Sequence, residues 1–212
     1  MPDEDELVWA IPKGRVLQQL LLLFERAGLD TAPLSAKSRK LIRHAAGCRF
    51  LLLKPDDVPT YVEYGAADLG VVGRDVLLER EYDLYAPVDL GIGRCRLAVA
   101  GLADGAYPPA PGQTLRVATK YPNVAARFFA SRGQSAEVIF VQGSVELAPL
   151  TGLSDVIVDI VQTGETLRQN GLQVFEPVAD VSSVVVANRV GLKLKRDRIA
   201  SLLEALRGVG LN

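Results

Sequence analysis

SVELAPLTGLSDVIVDIVQTGETL, from Ser144 to Leu167, decides how the rest of the chain is read. Its centre, Val156-Ile157-Val158-Asp159-Ile160-Val161, is a short apolar run with one acid inside it. Bounded by turn formers, such a run predicts a buried strand of a parallel sheet. Gln162-Thr163-Gly164-Glu165-Thr166-Leu167 follows at once and predicts a tight turn opening a helix. That turn offers backbone N–H groups, two threonine hydroxyls and a helix dipole to one spot, which suits a phosphate monoester. Asp159, near the strand exit, can accept hydrogen bonds from sugar hydroxyls while the turn holds the sugar's phosphate. A buried carboxylate is costly unless something pairs with it, so an acid in this strand points to a ligand. The pattern predicts a grip for a 5-phosphorylated ribose. The alternative is a plain strand–turn–helix unit with Thr163 as a cap.

Working outward, 212 residues with 49% hydrophobic content suffice for one large domain or two small lobes. The formal net charge of -1 argues against a nucleic-acid coat or a polybasic membrane binder. The acidic opening MPDEDELVWA lacks a basic n-region, so a secretory signal is not expected. Leu20 to Phe24 is too short an apolar run to span a bilayer. Two cysteines, Cys48 and Cys95, without CxxC spacing, fit reduced thiols in a cytoplasmic protein. The single histidine, His44, excludes a multi-histidine zinc site or triad, and its neighbours predict a surface helix.

The first lobe opens with a strand over Leu7 to Ile11. Pro12-Lys13-Gly14-Arg15 then turns into a helix, Val16 to Ala27, apolar nearly all round at Leu20 to Phe24 and closed by Gly28. Lys13, Gly14 and Arg15 stand where parallel sheets bind ligands, and a phosphate role competes with a solvated face. Thr31 to Gly47, with Ser38 and Arg39, reads as a loop or short strand that brings Arg39 to the site. Strand RFLLLK, Arg49 to Lys54, precedes a helix over Thr60 to Tyr64, with Asp56 or Asp57 as its cap and Pro59 in its first turn. Ala67 to Gly73 is a third strand whose small residues leave room for a ligand or a backbone, followed by a short helix from Arg74 to Glu81. Tyr82 to Gly91 and Arg94 to Gly101 are extended, and the proline-rich segment 104–113 is a loop.

In the second lobe the strands Leu115 to Ala118, Val138 to Val141 and Val156 to Val161 each end in a polar turn that starts a helix. The extended run within 174–188 returns the chain to the first lobe, and an amphipathic helix, Arg196 to Arg207, ends it. The expected architecture is α/β, two-lobed, with extended crossings near residues 91–100 and 178–187. Lobe I takes residues 1–93 and 182–212, and lobe II takes residues 94–181. A cleft lined by helix N-termini from both lobes is expected.

At this point the motifs carry a family. IPKGR at Ile11 to Arg15, DDVPTYVEYGAADLGVVGRDVL at Asp56 to Leu77, TKYPN at Thr119 to Asn123, GSVELAP at Gly143 to Pro149 and GLSDVIVDIVQTGETLRQNGL at Gly152 to Leu172 together resemble the short form of the ATP phosphoribosyltransferases. Each is weak singly; five in this order are specific, and they span nearly the whole chain. The resemblance implies a type II periplasmic-binding-protein-like fold. It also implies transfer of the phosphoribosyl group of 5-phosphoribosyl 1-pyrophosphate to N1 of ATP, the first step of histidine biosynthesis, with Mg²⁺. It implies a histidyl-tRNA-synthetase-like regulatory subunit on which histidine inhibition depends, because the chain lacks room for the long form's C-terminal domain.

The residue types suit that chemistry. Adenine N1 is an unprotonated nucleophile near neutral pH, so no strong base is needed; charge on the ribose ring and on departing pyrophosphate must be stabilised instead. The resemblance assigns Asp159 to the ribose hydroxyls and Thr163, Gly164, Glu165 (through its N–H), Thr166 and Leu167 to the phosphoribosyl loop. Glu146 is a candidate for the ribose or Mg²⁺ side, or a structural cap. Lys13, Gly14, Arg15 and Lys54 are candidates for pyrophosphate or ATP phosphates, and Asp68 and Leu69 for the adenine side. Lys54 stands where the family often has arginine, which loses bidentate geometry, and Gln162 replaces a small residue. Two competitors remain: a solute-sensing domain of the same fold, which has no need of a ribose-phosphate grip, and a classical phosphoribosyltransferase, disfavoured by the two crossings and the lack of a second acid beside Asp159.

Overall fold

A computed structural model describes residues 6–35, 39–105 and 107–209. The acidic opening residues and Ser38 lie outside them. The described residues fall into two compact units. The first takes the chain up to Leu77, then Glu81–Gly93, then Ser182 onward; the second takes Leu78–Arg80 and Arg94–Val181.

The first unit begins with strand β1 (Leu7–Pro12), buried along its whole length, and helix α1 (Arg15–Arg26). Short helix α2 (Ala32–Ser35) leads to the antiparallel pair β2 (Ile42–Ala45) and β3 (Cys48–Leu53). One 3-10 turn over Pro55–Asp57 feeds helix α3 (Val58–Glu63), strand β4 (Leu69–Gly73), helix α4 (Arg74–Glu79) and strand β5 (Tyr85–Asp89). β1 lies between β3 and β4, parallel to both. Trp9, Phe24 and Phe50 form the aromatic centre of the core, with Trp9 and Phe24 edge-on at 5.4 Å. Small size in β4 serves packing: a Cβ on Gly70 would meet Val62 and Val58 at 2.7 and 2.8 Å, so α3 could not sit on the strand.

The second unit is a sheet of strands β6 (Cys95–Leu102), β7 (Leu115–Thr119), β8 (Ala136–Phe140), β9 (Val156–Val161) and β10 (Leu172–Val181). Helices α5 (Pro122–Ser131), α6 (Leu147–Leu150) and α7 (Glu165–Gln169) follow β7, β8 and β9. The order is β10-β6-β9-β7-β8, with β7 parallel to both β8 and β9, so three strands deliver their carboxyl ends to one edge. The chain then re-enters the first unit as β11 (Ser183–Ala187), antiparallel to β4 and β5, and ends in α8 (Arg189–Leu194) and α9 (Arg196–Val209).

Several expectations need correction. β6 and β10 are not bare crossings but full strands of the second sheet, paired antiparallel with register shifts near Glu176 and Ala179. His44 lies on the edge strand β2, not on a helix, and its Nδ1 is 2.7 Å from Glu6. Arg39 is exposed in the segment leading to β2, at the sheet's far edge. α1 buries Leu20, Leu21, Leu23 and Phe24 but leaves Leu22 59% exposed, so its apolar face is wide rather than complete. Asp57 precedes α3 without a side-chain cap bond.

Candidate active site

β9 occupies the residues expected of it, Val156–Val161. Side chains alternate along a strand, so Asp159 shares a face with Ile157 and Val161, which pack with Ala98, Ala118, Val145 and Ala148. Its partner on β6 is Ala98, whose small side chain leaves the carboxylate space. The Ile160 N–H donates to Asp159 Oδ1 at 2.8 Å. Burial pushes the Asp159 carboxyl up to about 6, and the Glu146 carboxylate pushes the same way, while the Ile160 N–H and the Lys120 ammonium pull it down. At neutral pH the group is charged and only half-buried, ready to accept from hydroxyls.

After Val161 the chain turns through Gln162, Thr163 and Gly164, and Gly164 adopts φ 75, the left-handed conformation that glycine accepts without a Cβ penalty. Thr163 and Thr166 are exposed. Thr163 Oγ1 accepts a long bond, 3.3 Å, from the Glu165 N–H. The Glu165 carboxylate is drawn back along α7 by Arg168 and by Gln169 Nε2 at 3.0 Å, which keeps its negative charge off the turn. Leu167 is only 6% exposed and packs with Val161 and Leu172. Its side chain therefore anchors the loop from beneath and does not face a ligand. α7 has five residues, too short for a strong dipole, so the turn's donors are its own N–H groups and hydroxyls.

Glu146 is half-exposed in the turn that opens α6 and makes no side-chain cap bond, so the structural-cap role is unfilled. Among the described residues no group of three or more His, Cys, Asp or Glu side chains stands close enough to hold a metal.

In the first unit, Lys13, Gly14 and Arg15 are exposed at the carboxyl end of β1. The Lys13 N–H donates to Leu53 O at 2.9 Å, which extends the β1–β3 ladder past Pro12↔Leu53 and brings Lys13 and Lys54 to neighbouring strand ends. Gly14, at φ 95 and ψ -151, opens α1 with no side-chain cap, which leaves the first N–H groups of the helix without one. Asp68 and Leu69 do not join this group. β1 and β4 are parallel with Trp9 opposite Leu69, so Asp68 lies at the amino end of β4, about 16 Å of strand away from Lys13. Its carboxylate accepts the Val8 N–H at 2.8 Å and pairs with Lys195 at 2.9 Å, and Leu69 is fully buried. These are structural roles.

Two basic residues escaped the sequence reading. Arg74 follows β4 at the same sheet end as Lys13 and Lys54; its guanidinium meets Asp89 at 3.2 Å, and Asp89 also accepts from Ser182 Oγ at 2.7 Å. Lys120 follows β7 and acts on Asp159. The available signal was positional: each stands one residue past the end of a parallel strand.

An α/β chain of two units, one presenting basic turns and the other an acid-bearing strand with an open turn, carries groups suited to phosphorylated ligands. The comparisons make this specific. Residues 54–208 match the HisG family model, described as ATP phosphoribosyltransferase. The chain is 60% identical over 203 residues to the ATP phosphoribosyltransferase of Sorangium cellulosum, covering 95% of this chain and 94% of that one. It is 48% identical over 206 residues to ATP phosphoribosyltransferase 2 of Geobacter sulfurreducens, covering 95% and 97%. Among solved structures, the ATP phosphoribosyl transferase (HisG:HisZ) complex from Thermotoga maritima superposes with TM-score 0.81 at 37% identity, covering 96% and 98%.

The chain belongs to the ATP phosphoribosyltransferase family. It has the two-lobed, periplasmic-binding-protein-like fold. It is an enzyme that transfers the phosphoribosyl group of 5-phosphoribosyl 1-pyrophosphate to ATP, the first step of histidine biosynthesis. No helix among the described residues is long and apolar enough to cross a membrane.

Proposed function

We propose that the β9 turn holds the 5-phosphoribosyl group and that the basic turns of the first unit take the polyphosphates. The observation that carries this reading is the Asp159 carboxylate, half-buried in an apolar strand and followed by an open turn that kinks at Gly164. Asp159 accepts the ribose hydroxyls and faces the positive charge that builds on the ring as C1 loses pyrophosphate. The N–H groups and hydroxyls of Thr163, Gly164, Glu165 and Thr166 hold the 5-phosphate. Adenine N1 supplies its own lone pair: the N1–C1 bond forms as the C1–O bond to pyrophosphate breaks. Lys13, Arg15 and Lys54 receive charge on pyrophosphate or on ATP, each contact worth about 1.5–3 kcal/mol, and alignment of the two reactants supplies on the order of 7 kcal/mol more.

Mg²⁺ neutralises phosphate charge when bound. The chain works in the cytoplasm with a histidyl-tRNA-synthetase-like regulatory subunit; a solved relative named as a HisG:HisZ complex supports the hetero-oligomer. The test is an absorbance assay for N1-(5-phosphoribosyl)-ATP with ATP, 5-phosphoribosyl 1-pyrophosphate, Mg²⁺ and pyrophosphatase, with and without that subunit. Calorimetry of the phosphoribosyl donor on the isolated chain accompanies it. Donor binding weakened in Thr166→Ala and turnover lost in Asp159→Ala are expected. Full activity of the chain alone together with inhibition by histidine would sink the partner assignment.

A further inference from the structure

Lys120 stands in a turn built more tightly than a strand exit requires. Thr119, the last residue of β7, is fully buried. Its Oγ1 donates to Val158 O at 2.5 Å and accepts the Tyr121 N–H at 2.9 Å, while its carbonyl accepts the Val141 N–H at 3.0 Å. Thr119 and Val158 are register partners, so this clip fastens both neighbours of Lys120 to the residue just before Asp159. Thr119 is opposite Val158 in the β7–β9 register, so Lys120 follows at the level of Asp159. Its ammonium lies over the Tyr121 ring, 5.7 Å from the centroid, and Tyr121 itself is buried.

We propose that Lys120 is a positioning residue of the phosphoribosyl site: clipped to β9 by Thr119, it keeps the Asp159 carboxylate charged and aimed at the ribose against the neighbouring Glu146. The inference rests on the assignment of Asp159 to the ribose. The charged groups that act on Asp159 pull in opposite directions. Glu146, from the turn before α6, opposes ionisation of Asp159, and Lys120, from the exit of β7, favours it. Arg96 on β6 is opposite Val161, two residues further along. Glu165, from the far turn, is engaged by Arg168 and Gln169. Since burial already pushes the Asp159 carboxyl up to about 6, loss of the Lys120 charge moves its titration further towards neutral pH.

The experiment is a carbon-13 carboxyl titration of the aspartate-labelled chain, with Asp159→Asn identifying the resonance, run beside the pH profile of kcat/KM for the chain with its regulatory subunit. Lys120→Met keeps the apolar stem and removes the charge. It should raise the Asp159 midpoint on the order of half a pH unit, and the acidic limb of the profile should move up with it. Lys120→Arg should restore both. Glu146→Gln should move the midpoint down, which gives a second handle if Lys120→Met does not fold. An unshifted midpoint overturns the proposal. So does a shifted midpoint with a stationary limb, because the coupling then does not reach catalysis. Failure of the underlying assignment is a different observation: Asp159→Asn with its turnover intact.

Discussion

The turns after β1 and after β9 share a plan: strand, a glycine with positive φ, helix. Gly14 has φ 95 and Gly164 has φ 75. They differ in where the charge sits. β1 is apolar and buried throughout, and its charges, Lys13 and Arg15, come only after it, in the open. β9 carries its charge inside the strand. An exposed cation costs the fold almost nothing, and salt screens its pull. A carboxylate in an apolar sheet costs the fold, and the lower dielectric that causes the cost also strengthens its action on a nearby ribose. On the proposed reading, one unit collects anions and the other keeps a costly charge for the reacting carbon.

The largest effect that can break this contrast is at Asp159. Asp159→Asn should lower turnover about a hundred- to a thousand-fold, measured in the coupled assay. The same variant should be the more stable protein. The folded carboxyl titrates at about 6 against a usual 3.8, so the native state holds its proton longer than the unfolded chain does. Stability is then lost as pH rises from about 4 to about 6, and above that the penalty is complete, at most about 3 kcal/mol. Calorimetry at pH 8 should find Asp159→Asn melting several degrees higher, with the gap closing near pH 4. A variant that melts lower at pH 8 removes the idea of a charge held at the fold's expense.

The first unit should behave in the opposite way. Lys13→Ala or Arg15→Ala should weaken polyphosphate binding by about 1.5–3 kcal/mol, or ten- to a hundredfold in Kd. Both should leave melting unchanged within about 0.5 kcal/mol. The loss should shrink as salt is raised, which calorimetry at two ionic strengths reads directly. Thr166→Ala removes one neutral hydroxyl and should cost about 0.5–1.5 kcal/mol, seen as a higher KM for the phosphoribosyl donor with kcat nearly kept.

Which parts of this were legible in sequence follows from how local each one is. The bounds of β9 and its turn could be read because an apolar hexapeptide, Thr-Gly and a helix former lie in one stretch. Lys13, Gly14 and Arg15 could be placed for the same reason. The partners of Asp68 were not legible: the Val8 N–H and Lys195 hold it at the amino end of β4, and both come from other segments of the chain. β6 and β10 looked like crossings because their pairing joins residues some 70 positions apart, as in Leu172↔Leu102. Helix α8 went unassigned between the extended run and the last helix, although Asn188 is a good cap and accepts from the Val190 and Gly191 N–H groups at 2.8 and 3.1 Å. The part of Lys120 depends on the β7–β9 register, which no window of sequence contains.

The smallest effect separates the two glycines. Gly164, at φ 75 and ψ 6, lies in the left-handed helical region, where asparagine is tolerated. Gly14, at φ 95 and ψ -151, lies where essentially only glycine goes. Space is not the issue, since an added Cβ at Gly14 meets nothing within 4 Å and at Gly164 only Val161 at 3.8 Å. Gly164→Asn should therefore cost under about 1 kcal/mol of stability, and Gly14→Asn about 1–3 kcal/mol. Because α1 has 12 residues and opens at Gly14, relaxation of that strain should also re-aim the N–H groups beside Lys13 and Arg15. Denaturant melts of the two variants, with polyphosphate titrations alongside, should find binding impaired only in Gly14→Asn. Equal costs at both positions would mean that the first turn tolerates a conformation outside the glycine-only region, and the likeness between the two turns would then extend to their backbones.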